Sequence, residues 1–395
     1  MMYLKKSIIL LSCTLILSAC GSSNNAENAN TLLELSEKQF VHELFLNEYL
    51  WYEDVASNVD YESFSTRDEM INRYKVTPPD RWSFSLSQKE YEDFANQKTQ
   101  GFGFGFDTNF RLFIVRINAP AYEKLFRGDK LLEINGQPIT LENLSQASEN
   151  INVQTTFTLL RNGVELTQTV TPSEYSFNVS EGKVIAKNGK NIAYLRYDSF
   201  TESSVAEFET IFTRFKAANV SELIIDMRYN GGGSVGTASA LLDNITNAYP
   251  NKRQVYLDWN QNYQGRNETF SFESQDFQDG NELSMKRVFF LVTENSASAS
   301  ELVISALTPY LGRSNVITIG TNTHGKPVGM SGRIYNNNLY FIVNFLVRNN
   351  NSISTPFTGI PSTCAATDDI GYRMGDKNEK MLATALYYID HNRCP

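Results

Sequence analysis

Residues 286–307 allow few folds. Lys286-Arg287-Val288-Phe289-Phe290-Leu291-Val292-Thr293 is β-branched and aromatic and at most eight residues long, the signature of a buried strand. Asn295-Ser296-Ala297-Ser298-Ala299-Ser300-Glu301 follows, and then the apolar helical run Leu302-Val303-Ile304-Ser305-Ala306-Leu307. Strand, turn of small residues and helix make up one unit of an α/β layer, and they bring a serine to a helix N-terminus. Ser298-x-x-Glu301 has capping-box spacing, with Ser298 as the N-cap. A hydroxyl there lies beside unpaired N–H groups and the positive end of the helix dipole. Such a place suits a nucleophile and the oxyanion it generates. A lone Ser-x-x-Glu usually does no more than cap a helix, so other stretches must decide.

Those stretches repeat the same architecture. Asn191-Ile192-Ala193-Tyr194-Leu195-Arg196-Tyr197 is a strand, and residues 203–218 form an amphipathic helix with Val205, Phe208, Ile211, Phe212 and Phe215 on one face. Glu222-Leu223-Ile224-Ile225-Asp226-Met227-Arg228 is a second buried strand. It runs into Tyr229-Asn230-Gly231-Gly232-Gly233, and a helix is expected over 236–245. Three consecutive glycines at the carboxyl end of a strand demand close backbone approach and present free N–H groups. After the strand Val316-Ile317-Thr318-Ile319, Gly320-Thr321-Asn322-Thr323-His324-Gly325-Lys326 matches GxxxxGK. It is not a phosphate loop. Pro327 stands where a Mg²⁺-binding Ser or Thr belongs, and it forces Lys326 into extended geometry. Lys326 is left on a strand–turn edge beside Val328 and Met330, where partial desolvation would favour the neutral amine and make it a base.

The amino terminus has a different character. Lys5-Lys6, the apolar stretch over 7–17 and Leu17-Ser18-Ala19-Cys20 form a basic n-region, a short h-region and a small-residue cleavage site, too short to span a bilayer comfortably. Leu-Ser-Ala-Cys resembles the lipobox of bacterial lipoproteins, which makes Cys20 the lipidated first mature residue; a plain signal peptide cut near Ala19 is the alternative. A lipid at Cys20 implies membrane attachment in the cell envelope, and the absence of aspartate after Cys20 directs the expectation to the outer membrane, facing the periplasm. Loss of Lys5 and Lys6 takes the net charge from −9 to near −11, an acidic balance that argues against nucleic acid as a partner. Of the remaining cysteines, Cys364 and Cys394 could pair in an oxidising compartment.

The expected organisation is a leader over 1–19, a polar tether over 20–30, a helical module over 31–97, a β-rich module over 98–172 and an α/β core over 173–395. In the helical module Leu32, Leu33, Leu35, Phe40, Val41, Leu44 and Phe45 recur at helical spacing, and a second helix is expected near 66–74. His42 has no second ligand beside it and reads as a surface or packing residue. In the β-rich module Gly101-Phe102-Gly103-Phe104-Gly105-Phe106 alternates small and aromatic residues. Phe113-Ile114-Val115-Arg116-Ile117 is a strand, Ala119-Pro120-Ala121 opens a short helix, Gly128-Asp129 and Asn135-Gly136 frame a strand, residues 141–149 are helical and 155–160 close the sheet. This order resembles a PDZ domain in its circularly permuted bacterial form. The resemblance implies a carboxylate-binding loop at Gly101, Phe102, Gly103 and Phe104, with a peptide C-terminus adding as a strand.

Asp226-Met-Arg-Tyr-Asn-Gly-Gly-Gly, Ser298-Ala-Ser-Glu and Gly325-Lys326, in this order behind a PDZ-like segment, resemble the S41 serine peptidases, the C-terminal processing or tail-specific proteases. Gly359-Ile360-Pro361 and the stretch from Gly375-Asp376 through Leu382-Ala383-Thr384-Ala385-Leu386 are similar to that family as well. So are Leu50-Trp51-Tyr52 and Asp80-Arg81-Trp82-Ser83 to one bacterial branch of it. The resemblance implies an α/β core of the ClpP/crotonase type, Ser298 as nucleophile and Lys326 as general base. It further implies an oxyanion hole from the Ala299 N–H with Gly232 or Gly233, protein or peptide substrates, and neither metal nor cofactor. His324 is an alternative base. The chain departs from well-known members in a Ser298–Lys326 interval a few residues longer, with the extra residues over 309–315, and in Met330, where they carry a glutamine. A non-catalytic binding protein on the same scaffold is the competing class. A Ser-x-x-Lys acyltransferase is disfavoured, because Glu301 occupies its lysine position.

Overall fold

The computed structural model describes residues 9–10 and 33–395; Cys20 and most of the leader and tether lie outside the described residues. Among the described residues no helix is long and apolar enough to cross a membrane.

The central sheet has the order Ser180–Lys187, Lys190–Tyr197, Glu222–Asp226, Val288–Val292, Val316–Gly320 and Cys364–Ala365. Its first pair is antiparallel and every later pair is parallel. Strand periodicity of two sorts the apolar side chains onto two faces. Val288, Phe290 and Val292 join one core with the helices Ser204–Ala217, Val235–Ile245 and Ala299–Leu311. Phe289 and Leu291 join the opposite core, under the helix Lys380–His391. Burial on both faces explains the uninterrupted apolar runs in these strands.

A second sheet, which the strand–helix alternation does not reveal, is built on the long hairpin of Val328–Tyr335 and Asn338–Asn349. Arg253–Trp259 and Glu268–Ser271 extend it, and Phe84–Ser87 pairs with its longest strand. The amino-terminal helices Leu35–Asn47 and Arg67–Tyr74 pack on this sheet. Val41, Phe45, Tyr49 and Trp82 share one core with Val328, Met330, Tyr340 and Val343. The end of the helical module at residue 97 is therefore a boundary in sequence but not in packing. His42 is buried, with both ring nitrogens bonded, to Tyr61 Oη and Ala56 O, and its ring stacks on Tyr74.

Residues 98–172 have a core of their own, containing Phe102, Phe104, Leu131, Leu144, Phe157 and Leu159. The strands Lys130–Ile134 and Thr155–Arg161 and the helix Leu141–Glu149 lie where expected. Ala119-Pro120-Ala121 does not open a helix. The chain there makes only turns, with Asn118 at φ 64° and Glu123 at φ 62°, which no α-helix tolerates. Cys364 and Cys394 are disulfide-bonded and tie the carboxyl terminus to the last strand of the central sheet.

Candidate active site

Three strands of the central sheet, Glu222–Asp226, Val288–Val292 and Val316–Gly320, end together, and each feeds one turn of the site. The first turn is Tyr229-Asn230-Gly231-Gly232-Gly233. Asn230 is fully buried; its Nδ2 donates to Tyr197 O at 2.9 Å and its Oδ1 accepts the Gly232 N–H at 2.9 Å. Gly232 has φ 108°, and a Cβ built on it would lie 2.8 Å from Ser298 Cβ and 3.0 Å from the Ala299 nitrogen. Only glycine admits the serine turn at this distance.

The second turn carries the serines, and its hydroxyls have different fates. Ser296 Oγ donates to Met227 O at 2.8 Å, and Ser300 Oγ donates to Asn230 O at 2.9 Å. Ser300 therefore stitches the serine turn to the glycine turn, and Ser296 stitches it to the segment leading into that turn. Ser298 is 1% exposed, yet its Oγ has no hydrogen-bond partner among the described residues. It adopts φ 64°, ψ −112°, a conformation that costs a non-glycine residue about 1–3 kcal/mol and persists only where the surroundings impose it. A serine that merely caps its helix would have its hydroxyl engaged. The Ala299 N–H that follows is first in the helix and has no intrahelical acceptor. Pro309 lies within the same helix; the carbonyl it deprives, that of Ser305, accepts instead from Asn349 Nδ2 at 3.2 Å.

The third turn bears Lys326, 1% exposed, and continues into the strand Val328–Tyr335 rather than a helix, as Pro327 requires. Glu301 joins the second and third turns. Its Oε2 accepts the N–H of Ser298 at 2.9 Å and of Lys326 at 2.8 Å; its Oε1 accepts the Gly325 N–H at 2.7 Å and the Thr323 hydroxyl. The backbones of Ser298 and Lys326 are thus less than two hydrogen-bond lengths apart, held by one fully buried carboxylate. Gly325 and Gly359 both have positive φ, and a Cβ on either would strike the facing loop, at Phe357 O and Thr323 O.

His324 stands two residues before Lys326 and is oriented elsewhere. Its Nδ1 faces Glu294 O at 3.2 Å, and its Nε2 accepts the Trp82 indole N–H at 3.2 Å. This assigns the neutral Nδ1–H tautomer. Burial, reinforced by Arg81, holds its pKa below the ordinary 6.5. Ser298 Oγ is hydrogen-bonded neither to His324 nor to Lys326 in this conformation.

Of the remaining expected residues, Gly232 has its N–H committed to Asn230, so as a standing oxyanion donor it is excluded unless that bond opens. Gly233 has φ 145°, and a Cβ built on it would lie 2.3 Å from Phe200 O. Gly101 and Gly103 have φ 106° and 84°. Gly101 adjoins Ser148 within the 98–172 module and Gly103 adjoins Tyr175 just beyond it; the Phe102 and Phe104 side chains are buried, so only backbone could meet a ligand there. Sequence reasoning missed the cluster below the glycine turn. Arg228, fully buried, donates to Asp226, Glu379 and Asp368. Asp368 also binds Arg127 of the 98–172 module and Tyr229 Oη. The signal was present: Asp226 and Arg228, two apart in an apolar strand, require buried partners.

Residues 191–357 match the family model described as Peptidase family S41. This segment belongs to peptidase family S41. The S41 segment contains all three turns. The chain is 27% identical over 149 residues, 38% of its length, to a tail-specific protease of Haemophilus influenzae; the match spans 19% of that protein. In three dimensions it is similar to a candidate S41 protease of Bacteroides fragilis, with TM-score 0.78 and 23% identity, over 89% of this chain and 97% of that one. It is also similar to a photosystem II D1 C-terminal processing protease, with TM-score 0.51 and 15% identity, over 84% and 92% of the two chains. At these identities the structural likeness concerns the mixed α/β fold.

Proposed function

We propose that the chain is a serine endopeptidase of the cell envelope, anchored through a lipid on Cys20, with Ser298 as nucleophile and Lys326 as general base. Among three hydroxyls in one turn, the unpartnered one belongs to Ser298, and this observation carries the reading. Rotation about χ1 turns the Ser298 hydroxyl toward the buried Lys326 side chain, whose amine acts in its neutral form. The amine takes the hydroxyl proton as Oγ bonds to the scissile carbonyl carbon. The Ala299 N–H and a glycine N–H of the first turn hold the oxyanion. The C–N bond breaks, the leaving amine takes the proton from Lys326, and water activated by the same amine releases the acyl group. His324 is a positioning element rather than the base, because both its nitrogens are engaged. The 98–172 module, read as a PDZ domain, receives a substrate C-terminus at Gly101–Gly105.

Fluorophosphonate labelling of the full chain in detergent, together with cleavage of an unfolded protein, tests this. Ser298→Ala and Lys326→Ala are each expected to reduce both signals roughly 10³-fold or more. Labelling that survives Lys326→Ala would move the base elsewhere. A wild-type chain that neither labels nor cleaves would favour a binding protein on the S41 scaffold.

A further inference from the structure

The amino-terminal module carries no nucleophile, base or oxyanion donor, yet one segment of it reaches the third turn. Asp80 is fully buried and organises that segment. It accepts the N–H groups of Trp82 and Ser83 at 2.8 and 3.0 Å, the Ser83 hydroxyl at 2.6 Å and the Tyr49 hydroxyl at 2.8 Å. Ser83 Oγ in turn accepts the Val343 N–H at 3.1 Å, fixing the segment to the second sheet. From this mount Arg81 and Trp82 project together, the guanidinium 5.2 Å from the indole centroid. Arg81 donates to His324 O at 3.1 Å and Trp82 donates to His324 Nε2 at 3.2 Å. The other two polar groups of His324 face the serine turn: its N–H donates to Ser296 O at 3.0 Å, and Nδ1–H points at Glu294 O. All four hydrogen-bonding groups of one residue are thereby divided between the amino-terminal module and the nucleophile's turn.

We propose that Trp82 is a positioning residue for the Ser298–Lys326 pair, acting through its indole N–H on His324, so that the amino-terminal module completes the active site. The inference rests on the Ser/Lys reading above. Glu301 sets the spacing of the two backbones from within the core, and the Trp82–His324–Glu294 chain sets it again from outside. The contact holds only while His324 Nε2 carries a lone pair. A proton there would oppose the Trp82 N–H and place a cation beside the Arg81 guanidinium, with Lys326 as the other basic group and Glu301 as the acidic group on that side. The clamp therefore opens in acid, and the pH at which it opens depends on Trp82.

The test compares wild type with Trp82→Phe, which keeps an aromatic ring against Phe357 and deletes only the donor. In the ¹⁵N-histidine spectrum of the full chain, which has three histidines, His324 is expected as the Nδ1–H tautomer with a midpoint below 6.5. Trp82→Phe should raise that midpoint by up to about one pH unit and slow fluorophosphonate labelling at pH 8 by about 3- to 10-fold, the scale of one lost hydrogen bond. The acid limb of labelling should move upward with the imidazole titration, while the thermal midpoint stays near that of wild type. A purely structural contact would lower the thermal midpoint and leave the acid limb in place, which overturns the inference. So does a Trp82→Phe enzyme that labels at the wild-type rate across the pH range, or an Nε2–H tautomer. Failure of wild type itself to label removes the Ser/Lys reading and this inference with it, and so distinguishes the two.

Discussion

The two accessory modules meet the S41 segment in opposite ways. The amino-terminal module shares an apolar core with the hairpin that follows Lys326, and it contributes a strand to the same sheet. The 98–172 module keeps its core to itself. Beyond the short strand pair of Lys98–Gly101 with Ser173–Ser176, it meets the rest of the chain through a polar cluster on Arg127, which binds Asp368, Tyr229 Oη and Tyr372 O, and through isolated ring contacts such as Phe113 with Tyr229. Apolar interfaces resist sliding because any displacement opens voids, whereas a small polar interface can exchange its bonds for water. The first module is thus built into the core beside the third turn, and the second is docked against the rest of the chain with a core of its own.

Removing the Asp80 carboxylate should have the largest effect. Asp80→Ala leaves four buried donors unmatched and is expected to cost about 3–5 kcal/mol by denaturant titration, with labelling lost in parallel. The disulfide comes next. It closes a 30-residue interval that carries both Asp368 and Glu379, so Cys394→Ser should cost about 2–4 kcal/mol and expose the 98–172 junction to limited proteolysis. Arg127→Ala should cost only about 1–2 kcal/mol, since Arg228 still holds Asp368. Its signature is faster hydrogen exchange at the junction with an unchanged amino-terminal module. Equal exchange in both modules would dissolve the distinction drawn here.

The smallest effect separates the two interfaces by pH. Burial alone would raise the Asp368 pKa, but Arg127 and Arg228 hold it below the ordinary 3.8. Its stabilisation is complete above the usual carboxylate range and is lost as the pH falls through and below it. His324, also depressed, binds its proton more readily unfolded than folded, so its contribution is complete above 6.5 and fades as the pH drops toward its lower folded value. Proteolysis at stepwise lower pH should therefore loosen the Trp82 contact first and the Arg127 contact only in stronger acid.

The periodic and local features were legible in the sequence. Strand 288–292, the serine turn, the helix behind it and the glycine turn follow from apolar runs and small residues. The rejection of a phosphate loop followed from Pro327 alone. What escaped notice depends on contacts across long intervals. Trp82 reaches a histidine 242 positions away, and Arg127 an aspartate 241 away. The serine turn presents three serines in alternation, and only the directions of the neighbouring hydroxyls show which one is unengaged. Nor does a capping glutamate, read locally, announce that it also binds a turn 25 residues on.

That glutamate bears on how the chain can vary. Because Glu301 joins the Ser298 and Lys326 backbones through space, the length of polypeptide between the helix end and the next strand is irrelevant to their register. Gly312, with φ 78°, ends the helix in an exposed turn before Val316. Peptide inserted after Ser314, beyond the anchored Arg313 side chain, should leave the Ser298 and Lys326 backbones in register, which makes this turn a site for grafting an affinity handle.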